Sequence, residues 1–206
     1  METIFDQQEF VVIDHGTGFI KAGFSGEDLP RCVVPTVVGT NHIQIDPSLL
    51  VGAVGSELQQ KVEYAYGNQA FVARPTHQLH FPIQRGVICQ EEKTRSIEYM
   101  ENMWEYILEK ELNLEPKNMS VLLTDSAFNS KENKQKVAEV MFEKFRVKEL
   151  AILNTAVLSL FSTGRTSGIV VESGEGLSYT VPVFEGYALP HAMHKLDIAG
   201  QDITAQ

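Results

Sequence analysis

A chain of 206 residues with 43% hydrophobic and 21% charged content has the composition of a folded globular protein, as one large domain or two small ones. Its formal net charge of −10 excludes a general nucleic-acid surface, which needs basic groups to displace counterions. No apolar run approaches the roughly 20 residues of a membrane-spanning helix, and the opening residues are acidic where a secretory leader is basic. The chain therefore reads as soluble and cytoplasmic. Cys32 and Cys89 have neither metal nor redox spacing and are expected as buried, reduced thiols.

Three strands are predicted first, over Phe10–Ile13, Gly18–Phe24 and Cys32–Val38, separated by turn residues at 14–17 and 25–31. Residues 39–80 mix Gly, Asn, Gln, Pro and His without sustained periodicity, so a small variable lobe or binding loop, the most mobile part, is expected there. From Glu91 the pattern turns helical. Ile97, Met100, Trp104, Ile107 and Leu108 share one face of a 3.6-residue period. A short buried strand is predicted at Val121–Leu123. A helix capped by Asn129 or Ser130 then carries Val137, Val140, Met141 and Phe145 as its apolar stripe. A strand at Leu150–Leu153 and a helix at Thr155–Phe161 follow, with Gly164 as its stop. Strands are expected again over Gly168–Glu172, Leu177–Phe184, Tyr187–Leu189 and Leu196–Ile198, and a helix begins near Gly200. This succession is an α/β layout with a mixed sheet.

The residues with most chemical content are two glycine tips. Asp14-His15-Gly16-Thr17-Gly18 and Glu172-Ser173-Gly174-Glu175-Gly176 each place an acid ahead of two glycines bracketing one residue, after a β-branched run. Each predicts a hairpin whose glycines take positive φ and whose tip exposes backbone N–H groups. Facing one another, two such tips would clamp a phosphate chain, and the leading acids would hold the water shell of a phosphate-bound Mg²⁺. The strand–tip–strand–strand order occurs twice, as in a duplicated fold. The pairs His77/His80 and His191/His194 raise the alternative of a metal site, but they lack the acid partner of a helical zinc motif and are better read as surface or turn histidines.

Across almost its whole length the chain resembles actin and the actin-related proteins. The matching stretches are Val12 to Phe24, Val121 to Thr124, Ala156 to Leu160, Gly164 to Thr166, Thr180 to Ala192 and Leu196 to Gly200. The resemblance implies an actin-like ATPase fold, a ribonuclease H-like mixed sheet with flanking helices, shared with sugar kinases and heat-shock chaperones. Residues 1–160 would be the first half, with the variable lobe at about 39–82. Residues 161–206 would be the first strands of a second half that is incomplete here, lacking the wall that holds adenine and ribose.

By the same resemblance, Asp14, Gly16, Thr17, Gly18 and Lys21 would meet the phosphates of ATP or ADP, and Ser173, Gly174, Glu175, Gly176 and Leu177 would face them. Asp14 and Glu172 would hold Mg²⁺ through water. Phe161, Gly164, Thr166 and Tyr187 would lie on a cleft where protein partners insert apolar side chains, in a cytoskeletal or axoneme-like assembly. Five positions depart from the family pattern. Thr155 stands where a glutamine positions the hydrolytic water, Glu172 and Glu175 replace aspartates, Tyr179 replaces a histidine, and Arg85 replaces the modified histidine. A shorter hydroxyl at 155 reaches less far toward an attacking water, so weak or absent hydrolysis is expected. Two functions follow: a scaffold acting through protein contacts, or an ATP/Mg²⁺-binding switch completed by a partner chain. A half-covered second sheet is expected to need such a partner for stability.

Overall fold

The computed structural model describes residues 10–45, 59–89, 95–117 and 119–205. Its first sheet has the order β10-β9-β1-β2-β3. Strands β1 (Phe10–His15), β2 (Phe19–Phe24) and β3 (Cys32–Pro35) form an antiparallel meander. Strands β9 (Ser120–Asp125) and β10 (Glu149–Asn154) add in parallel beside β1, with Val12 opposite Leu122 and Leu122 opposite Ala151. Alternation explains the core: Val11, Ile13, Ile20, Ala22, Val121 and Leu123 are buried while their neighbours along each strand are less so.

Helix α2 (Ser96–Tyr106) supplies Met100, Met103 and Trp104 to this core, and α3 (Lys131–Glu143) supplies Val137 and Met141. Ser130 caps α3 by accepting from Asn133 N. Beyond Tyr106 the helix widens into a π-turn over Ile107–Glu111, where Leu112 N donates to Ile107 O at 2.9 Å. Periodicity located this helix but did not foresee its widening.

The region expected to lack pattern is ordered in large part. Strands β4 (Val38–Ile45), β5 (Gln59–Tyr66) and β6 (Gln78–His80) form a three-stranded sheet, and the short helix α1 (Asn68–Val72) packs on it. Residues 46–58 of the expected lobe lie outside the described residues. A further hairpin, β7 (Ile83–Gln84) and β8 (Val87–Ile88), turns through Arg85 and Gly86, both with positive φ. That pairing of angles is the I′-type turn of a two-residue hairpin loop.

Helix α4 (Thr155–Ser162) leads from β10 into the second sheet, where β11 (Gly168–Ser173), β12 (Ser178–Phe184) and β13 (Tyr187–Ala188) repeat the opening order. Ala156 and Leu160 of α4 bury Leu177, Tyr179, Val181 and Val183. Ile169 and Val171, on the other face of β11, are more than 70% exposed. Strand β14 is His194–Leu196, earlier than the expected 196–198, and pairs with β12; helix α5 follows at Gly200–Thr204. Cys32 is buried as expected, but Cys89 is only half-buried. No helix among the described residues is long and apolar enough to cross a membrane.

Candidate functional site

Two hairpin tips meet at the carboxyl ends of β1, β9 and β10, enclosing a cleft of about 310 Å³. The tip between β1 and β2 is closed by Gly16 N donating to Phe19 O, and the tip between β11 and β12 by Gly174 N donating to Leu177 O, both at 3.0 Å. None of the four tip glycines has positive φ, contrary to the expectation from sequence. Their smallness serves close approach instead. A Cβ on Gly18 would stand 3.1 Å from Glu175 Cβ, and one on Gly176 would stand 2.5 Å from Thr17 Oγ1. Each tip therefore seats its central side chain on the other tip's second glycine.

Backbone carbonyls of Gly16, Gly18, Gly174, Glu175 and Gly176 are engaged. Thr36 holds the first tip, its Oγ1 donating to Gly16 O at 2.8 Å and its N to Gly18 O at 3.0 Å. Helix α5 holds the second, with Gly200 N on Gly174 O and Gln201 N on Glu175 O, both at 2.9 Å. Arg85 Nη1 donates to Gly176 O at 3.2 Å and forms a two-point pair with the Asp202 carboxylate at 2.5 and 2.7 Å. This pair holds the Asp202 carboxyl below its usual range. Among the described residues, no acceptor takes the N–H of Thr17, Gly18, Glu175, Gly176 or Leu177. Five tip carbonyls are spent and these five donors are not, which is the polarity of an anion cradle.

The floor of the cleft is a carboxylate network. Asp14 Oδ1 accepts from Thr124 Oγ1 at 2.7 Å, and Asp14 Oδ2 lies 3.7 Å from Lys21 Nζ, its register partner across β1 and β2. Glu172 and Tyr179 are directly opposed on β11 and β12. Tyr179 OH donates to Glu172 Oε2, Ser159 Oγ donates to Glu172 Oε1 at 2.7 Å, and Thr155 Oγ1 lies 2.7 Å from Tyr179 OH. Burial, then the bond to Glu172, push the Tyr179 phenol far above its ordinary value, so its proton stays. Each oxygen of Glu172 thus accepts from one side-chain hydroxyl. Asp14 retains an outward oxygen, and the donor set fits Mg²⁺ held by Asp14 through water and by phosphate oxygens.

Reading the sequence missed five residues that line the cleft: His15, Phe19, Gly86, Thr124 and Ser126. The His15 ring meets Trp104 edge-on at 6.2 Å, its Nδ1 sealed and without a partner. Burial lowers its pKa against the opposing pull of Asp125 and Asp14. Gly86 N donates to Thr17 Oγ1 at 2.9 Å, tying the β7–β8 hairpin to the first tip. An Arg-Gly pair between short apolar runs was the available signal for that hairpin. Ser173 Oγ, expected to face the phosphates, bonds Ser178 Oγ at 2.8 Å across the hairpin.

The residues expected at an interaction cleft also come together. Gly186 N donates to Thr166 O at 2.8 Å, Gly164 N to Phe161 O at 2.9 Å, and a Cβ on Gly186 would stand 3.1 Å from Phe161 Cζ. Phe161 is 47% and Tyr187 78% exposed. His80 Nε2 bonds Thr40 Oγ1, His77 Nδ1 bonds Thr76 Oγ1, and no metal-ready group of three or more His, Cys, Asp or Glu occurs among the described residues.

A meander, a crossover helix and a second meander, with their tips opposed across a donor-lined cleft, define an α/β protein of duplicated strand–tip–strand design. The family model of actin matches residues 5–206, and the chain belongs to the actin family.

Proposed function

We propose that this protein is an actin-like cytoskeletal scaffold whose cleft holds the phosphates of a magnesium nucleotide without appreciable hydrolysis. The observation that carries this reading is the division of the tip backbone into engaged carbonyls and unengaged N–H groups. Lys21 adds one positive charge beside the tips, and Asp14 supplies the oxygen for the metal's water shell. The nucleotide would be ATP or ADP with Mg²⁺, acting as a ligand that ties the two tips together.

Hydrolysis needs a group that orients a water in line with the terminal phosphate. Thr155, at the position the family resemblance gives to that group, has its hydroxyl on Tyr179, and Tyr179 has its own on Glu172. The protons of both hydroxyls are spent in that chain, and the short Thr155 side chain reaches less far toward a water. Protein partners would meet the surface around Phe161 and Tyr187, and the exposed Ile169–Val171 face of the second sheet offers another apolar contact.

Phosphate release from the purified protein with Mg²⁺-ATP tests the reading. It predicts release far slower than that of ordinary actin under the same conditions. It predicts a rise of about tenfold or more when Thr155→Gln and Tyr179→His are made together, restoring the side chains that can hold water. Release at actin's own rate from the unaltered chain would overturn it.

A further inference from the structure

We infer that His80 is a proton-sensitive latch between the β4–β5–β6 sheet and helix α2: in acid it lets go of α2, while a second aromatic contact, Tyr66 on Tyr106, stays as the pivot.

The register of the sheet puts Thr40 and His42 of β4, Tyr64 and Tyr66 of β5 and His80 of β6 on one face. That face meets α2 through two ring stacks. His80 lies on Tyr99 with centroids 4.5 Å and planes 25° apart, and Tyr66 lies on Tyr106 at 4.9 Å and 23°. Tyr64 stacks on Tyr66 in turn at 6.3 Å. Helix α1, packed on the same sheet, lines a cavity of about 730 Å³ with Thr17, Gly18 and Glu175 of the two tips. A sheet that swings on α2 therefore moves a wall beside the cleft.

Proton accounting makes one stack sensitive to acid. Thr40 is buried, and His80 Nε2, 2.8 Å from its Oγ1, is the one partner of that hydroxyl among the described residues. A neutral imidazole accepts the hydroxyl proton there. Once the ring is protonated both its nitrogens are donors, and the buried Thr40 proton has no acceptor. Burial first, then His42, lower the His80 pKa. The other groups around the ring are neutral: Gln78 from β6, Gln84 from β7, Ser96 and Tyr99 from α2, and Tyr64 from β5 behind Tyr99. Arg95 and Glu98 act on Tyr99 but pair with one another at 4.0 Å. A cavity of about 350 Å³ beside the stack gives protons access to the ring. With the folded value below the ordinary 6.5, the latch contributes fully above 6.5 and is lost as pH falls through the folded value. The pivot has no such response. Burial pushes the Tyr66 phenol up to about 12, and the bond to Glu111, then burial, do the same for Tyr106.

Amide exchange of the full chain, read by mass spectrometry between about pH 8 and about pH 5 and corrected for intrinsic rates, tests this. Protection at 38–45 and 78–80 should fall several-fold more than protection in α3. His80→Phe keeps a ring on Tyr99 but has no proton to gain, so the excess should disappear. Tyr99→Leu should produce the acid pattern at neutral pH. In the unaltered chain, which needs no variant to fold, the midpoint of the loosening should coincide with the titration of the His80 ring followed by NMR. A sheet that tracks α3 down the pH scale, an excess that survives His80→Phe, full protection in Tyr99→Leu, or a midpoint displaced from the His80 titration would each overturn the latch.

Discussion

Thr17 occupies the space that a side chain at position 176 would need: a Cβ on Gly176 would lie 2.5 Å from Thr17 Oγ1 and 2.9 Å from Thr17 Cβ. These are contacts with a β-branched side chain whose oxygen is already held by Gly86 N, so it has little freedom to yield. Gly176→Ala should destabilise the fold by about 1–3 kcal/mol through overpacking. Thr17→Gly should recover much of that loss in the double variant, since the two positions are coupled. A double-mutant cycle from chemical denaturation checks both values. Simple additivity of the two changes would contradict the interlock.

Acid should loosen the second tip through Asp202. Its carboxyl is held below the ordinary value of 3.8, chiefly by the hydrogen bonds from Arg85. A carboxyl depressed in the folded state contributes fully above its unfolded value and loses that contribution as pH falls through the folded one. Asp202→Asn should therefore be less stable than the unaltered chain at neutral pH, with the difference vanishing as pH is lowered below 3.8. Melting temperatures of the two proteins measured down the pH scale should converge. Parallel curves would mean that Asp202 is not the linked group.

Asn133 anchors the hairpin that carries Arg85 and Gly86. It is buried on α3, and its amide donates to Ile88 O at 3.2 Å and to Asn129 Oδ1 at 2.8 Å. Asn133→Ala strands a carbonyl of β8 and should cost about 1–3 kcal/mol. Backbone amide exchange should accelerate in the 83–88 hairpin more than in α2. Uniform acceleration across the domain would show that the bond has no particular hold on the hairpin.

Much of the fold was legible because its signals are local. The stripe from Ile97 to Leu108 gave α2, Ser130 marked the start of α3, and β-branched runs ahead of each glycine tip gave β1 and β11. The β4–β5–β6 sheet was not legible, because its pairs join polar residues such as Thr40, Tyr64 and Gln78 that show no alternation to read. The tip glycines were noticed for the wrong reason. Positive φ is a local property, whereas the clash with Thr17 at Gly176 comes from a contact between two distant parts of the chain. The Glu172–Tyr179 bond lay within reach, since counting back from the hairpin tip opposes those two residues directly. Its extension into a chain of hydroxyls needed the positions of Ser159 and Thr155 on α4.

The central claim is that the unengaged tip donors, together with Lys21, hold nucleotide phosphates. Calorimetric titration with Mg²⁺-ADP, on the unaltered chain and on Lys21→Ala, tests it most directly. The account predicts saturable binding that depends on Mg²⁺ and weakens by about tenfold or more when the ammonium is removed, the order expected of a charge-assisted contact. Absence of saturable binding, or binding unchanged by Lys21→Ala and by chelating the Mg²⁺, would contradict it.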